Sequence, residues 1–158
     1  MASNRPIRLD DWGITWERYK ELQYFCLQYE QKRQKADALL TLPVSTPEPV
    51  KFRKHGREYA AILPRGGGWP GDPVAKMQQR RERLLNDTRM IERACEQAAI
   101  DEAAGPEAAR ILLAAVTRKG GVQAVMRRGR INGPRCGERQ FYALRRRFFV
   151  ILDGMKGE

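Results

Sequence analysis

Apolar residues recur every three or four positions through two long stretches of this chain, and that period commits most of it to amphipathic helix. In the stretch 15–42 the apolar positions are Trp16, Tyr19, Leu22, Phe25, Cys26 and Tyr29, then Ala36, Leu39 and Leu40, with Lys20, Glu21, Gln28 and Lys32 turned away. Thr15 stands where an N-cap belongs. The aromatic residues of this helix read as core, because helical spacing puts them on the buried stripe. In the stretch 73–104, Val74, Met77, Leu84, Leu85, Thr88, Ile91, Cys95 and Ala98 repeat the pattern, and Arg81 interrupts the seam. Asp72 is placed to cap this second helix, and Pro73 to take its first position, where the missing N–H costs nothing. With a rise of about 1.5 Å per residue the two helices have similar lengths and are expected to pack as an antiparallel pair.

The pattern breaks between them. Pro43, Pro47, Pro49, Pro64 and Pro70 punctuate the stretch 43–72, which is long for a loop inside a compact domain. Val50, Phe52, Tyr59, Ala61 and Leu63 alternate around Lys54, His55, Gly56 and Arg57, the pattern of a small β-hairpin. Gly66, Gly67 and Gly68 are not followed by the Lys-Ser/Thr of a phosphate loop and read as a flexible linker. Beyond Gly105, Pro106 opens a third helix that carries Ile111, Leu112, Ala115 and Val116 inward and stops at Gly120 and Gly121. A short helix over 122–128, a Gly- and Pro-bearing turn over 129–137 and a last helix over 138–155 complete the chain. The expected fold is mainly α. It has a long antiparallel helix pair in residues 1–105, with the Pro/Gly-rich loop at 43–72, and a three-helix, helix-turn-helix-like unit in residues 106–158.

Of the 158 residues, 42% are hydrophobic, enough for a packed core. No apolar run approaches the ~20 residues of a membrane span, and the first residues lack the apolar segment of a secretory signal. Cys26, Cys95 and Cys136 are odd in number and widely spaced, which fits free thiols in a reducing cytoplasm rather than disulfides or a zinc site.

Charge is the more informative quantity. The net +11 is unevenly spread: residues 1–105 carry 18 basic and 15 acidic groups, residues 106–158 carry 12 and 4. Between positions 118 and 147 ten basic residues face one acid, Glu138, and nine of the ten are arginine. Arginine's planar fork suits phosphate oxygens and guanine edges, so a polyanionic partner is expected. On a wheel of about 100° per residue, Phe141, Leu144, Phe148, Ile151, Leu152 and Met155 of the last helix share one face. Arg139, Ala143 and Arg146 fall opposite, with Gln140 and Arg147 on one flank and Arg145 on the other. An arginine-bearing helix of this kind fits the major groove, with its N-terminal half toward the base edges. The candidate nucleic-acid contacts are therefore Lys119, Arg127, Arg128, Arg130, Arg135, Arg139, Gln140, Arg145, Arg146 and Arg147. Catalysis has little support: His55 is the one histidine, without a nearby Ser or Cys to activate, and no carboxylate cluster has two-metal spacing. A binding protein without metal or cofactor is expected.

The run Gly66-Gly67-Gly68-Trp69-Pro70-Gly71-Asp72-Pro73 leads into a long helix after a basic helical segment and a Ser/Pro loop. The chain closes on Gln140-Phe141-Tyr142-Ala143-Leu144-Arg145-Arg146-Arg147-Phe148-Phe149. This layout resembles the late-transcription activators of the RinA and ArpU kind, small regulators encoded by phages and prophages of Gram-positive bacteria. The resemblance implies a C-terminal helix-turn-helix that reads duplex DNA in the bacterial cytoplasm, with homo-oligomerisation left open. The turn over 129–137 is longer than the three or four residues of a standard helix-turn-helix, so either the turn is expanded or the unit is of another kind. Two alternatives stand beside the regulator. One is an anti-CRISPR-like inhibitor of a host defence nuclease, whose partner is a host protein or nucleoprotein complex. The other is a DNA-packaging accessory protein.

Overall fold

The computed structural model describes residues 9–41, 50–61, 73–102, 105–128 and 138–157. It is mainly α-helical. After a 3-10 turn at Asp10–Trp12 come α1 (Trp16–Leu27), α2 (Tyr29–Thr41), a hairpin of β1 (Val50–Lys54) and β2 (Arg57–Ala61), α3 (Pro73–Ala98), α4 (Gly105–Val116), α5 (Gly121–Arg128) and α6 (Glu138–Gly157). Thr15 caps α1 as expected, its hydroxyl accepting the Arg18 N–H at 3.3 Å. The proposed Asp72 cap, the Gly66–Gly68 linker, the turn over 129–137 and Cys136 lie outside the described residues.

The single helix expected over 15–42 is two helices that meet at Gln28. There the backbone tightens, Gln28 N–H bonding the Phe25 carbonyl three residues back at 3.3 Å. The cause is tertiary. Tyr19, Leu22, Phe25 and Cys26 of α1 are buried where α1 meets α6, α4 and the start of α2, whereas Tyr29 and Ala36 of α2 are buried along α3. One apolar stripe serves partners that run in different directions, and the bend lets it reach both. The pairing of α2 with α3 is antiparallel: Tyr29 Oη donates to Glu92 Oε1, and Lys32 Nζ reaches Asp87 Oδ2 at 2.6 Å.

Trp16 departs from its expected place in the core. It is 49% exposed, and Trp12 and Tyr24 are 59% and 67% exposed, so only Tyr19, Phe25 and Tyr29 among these aromatics are core. Trp16 occupies the first position of α1, its ring 5.5 Å from that of Tyr19 and under Lys20 Nζ at 4.6 Å. In α3 the seam divides likewise: Thr88, Ile91, Ala94, Cys95 and Ala98 are buried, but Met77, Leu84 and Leu85 are half-buried and Val74 is exposed. Arg81 is half-buried on that seam, its Nε shielded from solvent with no partner among the described residues. The helix ends at Ala98, six residues before its expected limit. The Ala98 carbonyl accepts Arg147 Nη1 at 3.1 Å, while the Glu102 N–H turns to the Ala99 carbonyl at 3.0 Å.

The hairpin forms where alternation predicts it, with Lys54 opposite Arg57 across a two-residue turn. His55 and Gly56 both have positive φ (54° and 75°), the requirement of the tight turns that match strand twist. α4 ends at Val116, four residues short of the stop expected at Gly120 and Gly121, which instead form the entry to α5. Gly120 takes φ 70°, and a Cβ on Gly121 would lie 2.5 Å from the Ala115 carbonyl oxygen.

One hydrophobic cluster joins residues from both sides of the division expected near position 105, including Leu22, Cys26, Ile91, Leu112, Leu144, Phe148, Phe149 and Leu152. Phe149 was not expected inside. Because α6 lies between α3 and α1, Phe148 is fully buried and Phe149 turns about 100° further round the helix to meet Tyr19, ring centroids 4.9 Å apart. Leu22 and Ile91 are both 0% exposed. Leu22→Ala or Ile91→Ala should each cost about 2–4 kcal/mol through the cavity left behind. Urea midpoints measured by circular dichroism check this, and unchanged midpoints in both variants would show that the core lies elsewhere.

Candidate nucleic-acid interface

The last helix carries two populations of arginine. Phe141, Leu144, Phe148 and Leu152 face inward and are buried, while Arg139, Gln140, Ala143 and Arg146 are exposed. Arg139 and Arg146 have no acidic partner among the described residues. Arg145 turns the other way. Its Nη2 donates to Tyr19 Oη at 2.9 Å, its guanidinium lies 5.8 Å from the centre of the Phe149 ring, and its Nε is buried without a partner among the described residues. Burial raises the Tyr19 phenol above its ordinary range against the opposing pull of Arg145, so it stays neutral and offers the cation a lone pair. Arg147 donates to the Ala98 carbonyl and lies 3.6 Å from Asp101, placing its charge at the carbonyl end of α3, where a cation is favoured. Arg145 and Arg147 thus hold α6 in place, and Arg139 and Arg146 are free to meet a partner.

A third fastening closes the other end of α6. Arg18 Nε reaches Asp153 Oδ1 at 2.6 Å and also pairs with Glu21. The Asp153 bond, followed by that to Glu21, raises the Arg18 pKa.

Upstream, Lys119 is exposed in the turn before α5, and Arg127 is exposed within it. Arg128 ends α5, and Arg130 and Arg135 lie outside the described residues. Arg118, which sequence reasoning passed over, is exposed beside Lys119. The signal for it was its adjacency to Lys119 at the end of an apolar helix. A further group of cations on α3, Lys76, Arg80 and Arg83, is exposed as well. Summing charge over residues 1–105 concealed it.

Among the described residues the cysteines and the histidine lie elsewhere. His55 is exposed at the hairpin tip. Cys26 and Cys95 are buried free thiols: burial pushes Cys26 up to about 12 and Cys95 higher still, so both stay protonated. Among the described residues no group of three His, Cys, Asp or Glu side chains is gathered as metal ligands, and no helix is long and apolar enough to cross a membrane. Comparison with protein-family models, with curated proteins and with solved structures finds no match.

Arg145→Ala should lower stability by about 1–2 kcal/mol, the worth of a charged hydrogen bond in a half-buried setting. Arg146→Ala should stay within about 0.5 kcal/mol of wild type, as exposed substitutions do. Urea denaturation of the two variants checks the contrast, and equal losses would erase the division of roles. Stability should also fall on the alkaline side. The Cys26 thiol ionises near 9 when unfolded and about 12 when folded, so its contribution is intact below pH 9 and is lost across that interval. The loss is about 1.4 kcal/mol per pH unit for one thiol. Urea midpoints at pH 8 and pH 10.5 test this, and a flat profile would contradict thiol burial.

Proposed function

We propose that this chain is a phage-encoded DNA-binding regulator that acts in the cytoplasm of a bacterial host and contacts duplex DNA with α5 and α6. The observation that carries the reading is the polarity of α6. Its aromatic face is locked into the core, while Arg139, Gln140 and Arg146 stand on the solvent side. A helix of about 12 Å diameter matches the width of the major groove. Arg139 and Gln140 lie in the N-terminal turn, which meets base edges in groove-reading helices, and their side chains suit guanine and adenine respectively. Arg146, two turns further along, takes backbone phosphate, and Lys119 and Arg127 extend the cationic surface. The resemblance to regulators of the RinA and ArpU kind supports the same reading.

A second reading draws on a different observation. Trp12, Trp16 and Tyr24 are exposed, and Trp and Tyr are enriched where proteins meet proteins. This favours the alternative of an anti-CRISPR-like inhibitor that docks on a host nuclease or its nucleoprotein complex. A packaging accessory protein would share the cationic surface without sequence preference.

Fluorescence anisotropy of labelled duplex across a salt series tests these readings, with circular dichroism confirming that each variant is folded. Wild-type affinity should fall steeply with salt, each phosphate contact adding about 0.9 to the log–log slope. Arg146→Ala should weaken binding to all duplexes and flatten the slope by about one unit. Arg139→Ala should relax preference at one base pair by about 1–3 kcal/mol. Phe148→Ala should unfold the unit rather than act locally. If wild type binds neither duplex nor single strands at low ionic strength, the DNA reading fails and the nuclease inhibitor takes first place.

A further inference from the structure

The chain's basic surface does not end at its last helix. The stretch 50–83 holds nine basic and three acidic residues, an excess hidden by the near balance of the surrounding sequence. Within it, Lys76, Arg80 and Arg83 of α3 are all exposed and have no acidic partner among the described residues. They line an open groove along α3 together with Gln79, Leu84 and Asp87. Asp87 is one turn beyond Arg83 and could have neutralised it, but its carboxylate is taken by Lys32 at 2.6 Å.

At 100° per residue, Lys76, Arg80 and Arg83 share a side of α3 with the buried Ile91, Ala94 and Ala98. In the C-terminal half of α3 that side is covered, Ile91, Ala94 and Ala98 being buried, and α2, α6 and α4 all pack on α3. Arg147 of α6 touches the Ala98 carbonyl. Nine residues on, Lys156 lies over the Phe25 ring at 4.0 Å, and Lys32, the partner of Asp87, lies over the same ring at 4.1 Å. So α6 runs antiparallel to α3 and ends near Asp87. Past that end the same side of α3 continues as the cationic groove.

We propose that this groove is a second nucleic-acid contact, in which Lys76, Arg80 and Arg83 take backbone phosphates of the duplex that α6 engages. The proposal rests on the reading of α6 as the primary contact. Seven residues of helix span about 10.5 Å, three times the rise of about 3.4 Å per phosphate along one strand. From Lys76 to Ala98 the helix advances about 33 Å, close to one duplex turn of about 34 Å, so one duplex lying along α3 passes both cationic surfaces. An acidic helix from a protein is the competing occupant. Leu84, half-buried, is the one apolar side chain among those lining residues, which leaves such a helix without an apolar anchor.

The test compares the triple variant Lys76→Ala/Arg80→Ala/Arg83→Ala with the pair Arg139→Ala/Arg146→Ala. Binding is read on a labelled hairpin duplex of about half a helical turn, too short to span the two surfaces, and on a labelled duplex of about three turns, across a potassium chloride series. Alanine keeps helix propensity high and all five positions are exposed, so equal helicity by circular dichroism is expected. On the long duplex the triple variant should lose about tenfold or more in affinity and 2–3 units of salt slope, about 0.9 per phosphate. On the short duplex it should stay within about twofold of wild type, since one surface suffices there. A triple variant that matches wild type on both duplexes, while the α6 pair is impaired, overturns the groove and leaves the α6 reading standing. An impaired triple variant beside an unimpaired α6 pair supports the groove and overturns the α6 reading. Failure of wild type to bind either duplex, with tight capture of poly-glutamate lost in the triple variant, overturns both and assigns the groove to an acidic protein.

Discussion

Two adjacent phenylalanines hold this fold together. Phe148 and Phe149, in contact at 5.0 Å between ring centres, leave α6 in directions about 100° apart and are both buried. Each removes an aromatic surface from water, worth about 1.5–3 kcal/mol. A helix buried along two faces cannot rotate about its axis without exposing one of them. Ala94, Cys95 and Ala98 of α3, small side chains of the same buried cluster, permit close approach of the helices, and Tyr19 of α1 meets Phe149 edge to face. The rotation of α6, and with it the outward aim of Arg139 and Arg146, follows from that packing.

The polar fastenings refine what the rings impose. Arg18 with Asp153, Arg145 with Tyr19 and Arg147 with the end of α3 tie α6 along its length. These contacts sort the arginines of α6 by direction rather than by type. Two that lie within three residues of each other in sequence, Arg145 and Arg147, grip the protein from opposite flanks, and Arg146 between them points away. A chain of net charge +11 repels itself, and engaging some cations with carbonyls, carboxylates and a phenol moderates that repulsion.

Much of this architecture was legible in the residues. Thr15 and Pro73 marked helix limits because capping and ring geometry are local matters, whereas α4 ends four residues before Gly120. The hairpin was legible in its alternation around His55 and Gly56. The break at Gln28 was not, since no residue there forces it and the cause is a partner supplied by α6, over a hundred positions away. Phe149 was missed because a single wheel assumes a single buried face, and Trp16 was misassigned because the wheel does not tell which positions of a stripe are covered. In the candidate site, the wheel placed Arg139 and Arg146 outward correctly, but the anchoring of Arg145 and Arg147 depended on groups from α1 and from the end of α3. The α3 cations were hidden by summing charge over a segment whose other parts are nearly neutral.

If α6 meets nucleic acid as proposed, it does so as a rigid helix that turns its arginine face outward while its aromatic face stays in the core. Amide chemical-shift mapping of the isotope-labelled chain, titrated with duplex DNA at moderate salt, tests this residue by residue. Shifts are expected at Arg139, Gln140, Arg146, Lys119 and Arg127, with Leu22 and Ile91 unmoved. A spectrum that responds only around Trp12, Trp16 and Tyr24, or does not respond at all, would contradict it.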